Sequence, residues 1–280
     1  MRRILVGTDG SPVAGDALRW AANLARVHDA ELIVITCRRP PAAGGGEVHE
    51  GSDDLEAELA SWVEPVTGVA PVLRASMVID DPRHGILQEA DREDADLVVV
   101  GRTGHGSRVG PRFLQLNSTA EHLVHHSDRP LAVIAAGSPA RLERIVVGYD
   151  GSENGRAAAR WVRDTALKAG AVVHVVSVWQ PLVEWTRTDN PRHWRREHEA
   201  LVRRRWAGEL FDVGLEVELH AIRSTRAAAN VLRVAQRCDA DLIVVGMRGL
   251  GGFSGLRIGG VALRVTHRAR RSVVLVPPAA

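Results

Sequence analysis

Two distant stretches of this chain repeat one pattern almost letter for letter: Arg3-Ile-Leu-Val-Gly-Thr-Asp9-Gly-Ser11 and Arg144-Ile-Val-Val-Gly-Tyr-Asp150-Gly-Ser152. Each is a short apolar run ending in Asp-Gly-Ser, where the serine can cap a following helix. Helices are predicted next at residues 14–28, with Ala17, Leu18, Ala21, Leu24 and Ala25 on one face, and at 157–169, with Ala158, Trp161, Val162 and Leu167 as the counterpart. Apolar runs at 31–36 and 172–178 then suit buried strands. A chain that writes strand, helix, strand twice over is held to parallel sheets, because right-handed crossovers place helices on both faces.

The rest of each half continues the alternation. Pro- and Gly-rich residues 38–52 and the irregular stretch 180–190 read as loops. Helices are predicted at 53–66 and 191–213, strands at 72–79 and 215–222, and helices at 82–93 and 225–238. Strands at 96–100 and 241–245 lead into two glycine-containing loops, and each half ends with a helix and a short strand, 131–134 and 272–276. The expected fold is α/β, with two similar doubly wound domains at residues 1–137 and 142–280. Each holds a five-stranded parallel sheet in the order 3-2-1-4-5 with helices on both faces. In that order the first and fourth strands are neighbours where strand order reverses, which is where open sheets of this kind bind ligands.

The loop from Gly246 through Gly249 to Gly259 and Gly260 therefore carries the functional argument. It joins a buried strand to a helix starting near Val261, so glycine backbone and unpaired helix-end N–H groups face one spot suited to phosphate. Lys168 is the sole lysine and lies far from either loop, which excludes a GxxxxGK[ST] phosphate loop. Main-chain amides, arginines such as Arg248, or a metal must then hold any phosphate. With 45% apolar and 25% charged residues and a net charge of +2, the chain is that of a folded protein without a global pull toward nucleic acid. Cys37 and Cys238 lie in no CxxC or Cys/His cluster, so neither a disulfide framework nor a zinc site is indicated. No apolar run is long enough to span a bilayer and no leader precedes the first strand, so a cytoplasmic protein is expected.

Taken together, the Asp-Gly-Ser after the first strand and the pattern G-x2-G-x9-G-[S/T] entering the last helix make the chain resemble a tandem universal stress protein of the ATP-binding branch. The resemblance implies an adenine-nucleotide site in each half. It assigns Asp9, Thr36, Gly101 and Gly104 in the first, with Asn117 and Ser118 standing where Gly-Ser would. In the second it assigns Asp150, Val178, Gly246, Gly249, Gly259, Gly260 and Val261. The second half keeps the loop spacing but has Gly260 in place of the hydroxyl residue; the first keeps Ser118 but has a longer loop, residues 105–116. The implied ligand is ATP, with Mg2+ on its phosphates, and the implied role is stress-response signalling without fast catalysis. A scaffold of the same fold that has lost the pocket is the competing reading. An adenylyl or sulfur transferase is disfavoured by the absence of SGGxDS, HIGH-like and KMSKS-like signatures.

Three further features carry weaker signals. His122, His125 and His126 have the helical spacing of metal ligands but need be no more than a solvated face. The basic segment 192–206, with Trp194 and Trp206 interleaved, reads as an exposed helix in preference to an RNA contact. The last strand of each half is an edge candidate, so an intrachain pseudo-dimer and a homodimer through edge strands are expected.

Overall fold

The computed structural model describes residues 1–38, 52–104, 116–179, 191–250 and 257–278. The loops expected at 38–52 and 180–190 thus lie almost wholly outside the described residues, as do the centres of both glycine loops. The chain divides into two compact units, Met1–Arg141 and Leu142–Ala280.

The first unit contains β1 (Arg3–Gly7), α1 (Pro12–His28), β2 (Glu31–Arg38), α2 (Ser52–Val63), β3 (Val72–Ile79), α3 (Pro82–Arg92), β4 (Leu97–Gly101), α4 (Ser118–His126) and β5 (Leu131–Ile134). Its strands lie in the order β3-β2-β1-β4-β5, all parallel. The second unit contains β6 (Arg144–Gly148), α5 (Glu153–Ala169), β7 (Val172–Trp179), α6 (Pro191–Leu201), α7 (Gly208–Phe211), β8 (Val217–Arg223), α8 (Ala227–Arg237), β9 (Leu242–Gly246), α9 (Gly260–Arg268) and β10 (Ser272–Val276). Here the order is β8-β7-β6-β9-β10, again all parallel. Both sheets have the predicted 3-2-1-4-5 arrangement. Helices cover both faces, so the central strands bury every side chain of Ile4, Leu5, Val6, Leu97, Val98 and Val99, and of Ile145, Val146, Val147 and Leu242.

Local chemistry starts each first helix as the Asp-Gly-Ser motif predicts. Ser11 accepts a hydrogen bond from the Ala14 amide at 3.3 Å and Ser152 one from the Gly155 amide at 3.0 Å. The start of the first strand is tied to that of the fourth by an aspartate: Asp241 accepts from the Glu143 and Arg144 amides, both at 2.9 Å. Asp96 does the same for the Arg3 amide at 3.0 Å. On α1 the five residues predicted to share a face are all buried.

Two expectations need correction. Leu167 is 47% exposed, because the buried stripe of α5 runs through Ala158, Val162, Thr165 and Ala166 and Leu167 falls about 100° round the helix from Ala166. The single helix expected over 191–213 is broken by a π-helical turn, Val202–Trp206. In an unbroken α-helix Val202 and Ala207 would point about 140° apart. The wider turn, closed by the Ala207 amide donating to the Val202 carbonyl at 2.8 Å, buries both completely.

Candidate nucleotide site

In the second unit a cleft of about 810 Å³ opens at the carboxyl ends of β6 and β9. One wall is apolar and aromatic: Val176, Val178, Trp179, Ala227 and Val231. The opposite side is the glycine loop and first turn of α9: Gly246 to Leu250, then Gly259 to Ala262, with Arg264 one turn on. Of the residues assigned on sequence, Asp150, Val178, Gly246, Arg248, Gly249, Gly259, Gly260 and Val261 all line this one cleft.

Each glycine has a separate job. A Cβ on Gly246 would sit 2.7 Å from the backbone of Asn154, so this glycine lets the strand end abut the first turn of α5. A Cβ on Gly249 would sit 2.3 Å from Asp150 Oδ2. The carboxylate uses that space to reach the loop: Oδ2 accepts from the Leu250 amide at 3.0 Å, while Oδ1 accepts from the Ser152 amide at 3.0 Å. Asp150 thus fastens the glycine loop to the turn after β6, and it is the one carboxylate among the described residues lining the cleft. Gly259 is the N-cap of α9 and offers no side-chain cap, so the helix begins with amides directed at the cleft and a positive dipole end behind them.

Among the lining residues that the sequence reading missed, four carry a ring or a charge. Arg264 has its guanidinium beside Gly260, within 3.4 Å of where a Cβ would be, four residues along the same helix face. Its spacing from Gly260 was the available signal. Tyr149 is buried, and burial pushes its hydroxyl up to about 12, so it stays protonated as a donor. Trp179 and His198 stack with ring centroids 5.5 Å apart and planes 28° from parallel. His198 Nε2 also meets the fully buried Ser177 hydroxyl at 2.9 Å, which orients the ring, and burial lowers its pKa so that it is neutral near pH 7. No spacing in the sequence links α6 to the end of β7.

The first unit assembles the same parts differently. Asp9 again meets the last residue of its loop's GxxG, Oδ2 lying 2.3 Å from a Cβ on Gly104. Gly101 likewise abuts the start of α1, with Ala14 N at 3.3 Å. At the N-cap of α4, however, stands Asn117, whose side-chain oxygen accepts from the Ala120 amide at 2.6 Å and whose Nδ2 approaches Gly104. The helix end left bare by Gly259 is thus occupied by a side chain here. Ser118 is the first helical residue and is exposed. Thr36 and Val178 are not counterparts. The strand registers equate Ile35 with Val176, so Thr36 corresponds to Ser177 and Val178 to Cys37, and successive strand residues face opposite sides of the sheet. Cys37 is half-buried, its thiol pushed up to about 12 by burial and then by Asp80, Glu89 and Asp81. A cavity of about 90 Å³ beside Gly10 and Ser11 is roofed by Trp62 and lies against α1, with neither Gly101 nor Gly104 in its lining.

Neither remaining cluster gathers into a site. His126 Nδ1 is held by the His122 carbonyl at 2.8 Å while the two rings stack, and His125 faces Glu121 at 3.4 Å, so the three imidazoles do not converge. Along α6 the basic residues are interleaved with acids, Arg195 with Glu199 at 2.9 Å and His193 with Glu197 at 3.2 Å. No helix among the described residues is long and apolar enough to cross a membrane.

Comparison with known proteins agrees with the twofold construction. Residues 1–135 and 141–277 each match the sequence model of the Universal stress protein family. A universal stress protein of Mycobacterium tuberculosis is 30% identical across 97% of this chain and 94% of its own length. One from Mycolicibacterium smegmatis is 28% identical across 98% and 97%. The crystal structure of a universal stress protein from Archaeoglobus fulgidus superposes with a TM-score of 0.72 at 19% identity, covering 99% of this chain and 96% of that one. The chain belongs to the universal stress protein family, whose domain it carries twice in tandem.

Proposed function

We propose that the second domain binds ATP and that the protein works as a nucleotide-responsive stress-signalling module without fast turnover. The observation that carries this reading is the bare N-terminus of α9, facing a cleft that also contains Arg248 and Arg264. Backbone amides, a helix dipole and two guanidinium groups together offset phosphate charge where no lysine is present. The apolar wall of Val176, Val178 and Trp179 offers a flat surface to a purine ring, and about 810 Å³ suffices for a nucleotide. The carboxylate of Asp150 is engaged by the Ser152 and Leu250 amides, so Mg2+ would be carried on the phosphate oxygens and not in a protein cage. The first domain fits the scaffold reading better, because Asn117 fills the position from which α4 would donate.

Calorimetric titration of ATP and AMP into nucleotide-free protein tests this. Saturable binding of one ATP per chain is expected, tighter than AMP. Arg264→Ala should weaken ATP about tenfold, the equivalent of one charge-assisted hydrogen bond, and AMP less. Absence of saturable heat at millimolar ATP sinks the proposal.

A further inference from the structure

We propose that His174, Glu218 and His220 form a transition-metal site of the kind filled by Zn2+, at the outer part of the second domain's sheet and separate from the nucleotide cleft. Strand pairing builds it. In the parallel register of β7 and β8, His174 lies opposite Glu218 and Val176 opposite His220. Side chains two apart on a strand share a face, so all three project to the same side. The strands hold the two imidazoles, so the site is pre-organised by the sheet and not by a loop.

One donor atom from each residue lies within 4.8 Å of the others, and the nearest approaches are close to those that a metal would impose. Tetrahedral Zn2+ with bonds of about 2.0–2.1 Å to nitrogen and oxygen sets its ligand atoms about 3.3 Å apart. Here His174 Nδ1 is 3.2 Å from His220 Nε2 and 3.2 Å from Glu218 Oε2, and His220 Nε2 is 3.6 Å from Glu218 Oε1. Hydrogen bonding alone serves this cluster poorly. The Nδ1 of His174 has one proton or one lone pair for two neighbours at equal distance, His220 Nε2 and Glu218 Oε2, so it bonds fully with one of them at a time. A cation held among the two imidazoles and the carboxylate would draw on a lone pair from each. The His174 side chain is buried while Glu218 is 62% exposed, which leaves an entrance and a fourth position for water. Two imidazoles and one carboxylate match the donor preference of Zn2+ and not of Mg2+ or Ca2+. By joining β7 to β8, the ion would fasten the outermost strand of that unit to its neighbour.

The test uses full-length protein stripped with a chelator and titrated with Zn2+ against a chromophoric competitor, with Co2+ absorption reporting coordination number. One tight equivalent, a Co2+ spectrum of four-coordinate type and a Zn2+-dependent rise in melting temperature are expected of the wild type. His220→Ala should weaken Zn2+ by at least the ten- to hundredfold that loss of an outer-shell partner alone costs. Glu218→Gln, an exposed change that leaves the fold intact, should weaken it about tenfold, with urea unfolding in the absence of metal unchanged. A His122→Ala variant should bind as the wild type does. Failure of the wild type to take up one equivalent, or equal affinity in the wild type, His220→Ala and Glu218→Gln, overturns the proposal whatever the ATP titration gives.

Discussion

At the scale of single residues, the glycines of the second loop show how one letter can stand for unlike physical demands. Gly246 is a packing residue: any Cβ would meet the Asn154 backbone at 2.7 Å, and backbone cannot swing aside as a side chain can. Gly259 has only ordinary contacts, the nearest at 3.4 Å to the Met247 carbonyl oxygen. Gly246→Ala should therefore destabilise the protein by about 1–3 kcal/mol, and Gly259→Ala by about 0.5 kcal/mol, the ordinary cost of Ala relative to Gly at an N-cap. Paired urea unfolding curves would decide, and equal effects would refute the division of roles. Sequence reading could nominate both positions because both are glycine, but it could not separate them. The difference depends on a helix start that approaches from nearly a hundred residues away.

At the scale of elements, the decisive contrast is between the N-termini of α4 and α9. They are equivalent helices entered from equivalent strands, yet one is capped by Asn117 and the other starts from Gly259. A capping asparagine uses the orphan amides for the protein's own stability, whereas a glycine leaves them for a ligand. Gly259→Asn should hold or raise stability by a few tenths of a kcal/mol, about the Asn–Gly difference at an N-cap, while ATP affinity falls about tenfold. Asn117→Ala should cost about 1 kcal/mol of stability and leave ATP binding unchanged. Unfolding midpoints measured beside ATP titrations on both variants check this, and undiminished ATP binding by Gly259→Asn would remove α9 from the argument. The substitution of Asn for Gly was visible in the sequence. Its consequence was not, because whether the amide points at solvent, at a side chain or into a cleft is set by the helix's placement on the sheet. The π-turn in 202–206 taught the same lesson, since burial of Val202 and Ala207 overrode an otherwise continuous helical pattern.

For the whole molecule, partly buried histidines link stability to pH. Burial lowers the pKa of His198 below its ordinary 6.5, and burial first, then neighbouring His126, His84 and Arg83, does the same for His122. Below about pH 6.5 the unfolded chain takes up protons that the folded chain resists, so this contribution is intact at neutral pH and is lost as pH falls through the folded pKa. The urea midpoint should drop between about pH 7 and pH 5, and His198→Asn should flatten that drop; an identical pH profile in the variant would dispose of the assignment. The alternation of apolar runs and amphipathic stretches, written twice, was enough to determine two parallel sheets with helices on both faces, because chirality and burial allow few other ways to cover both faces of such strands; the strand order came with the family resemblance. With that order it also implied that Asp150 and the glycine loop would face one crevice, since neighbouring first and fourth strands deliver both to one end of the sheet. Tertiary structure alone decided that Asp150 holds the loop through its amides, that Trp179, His198 and Arg264 complete the cleft, and that His174 finds Glu218 and His220. Those contacts join residues with no periodic relation along the chain; they exist because strand register and helix docking bring distant side chains within a few ångströms, and local pattern carries no record of that.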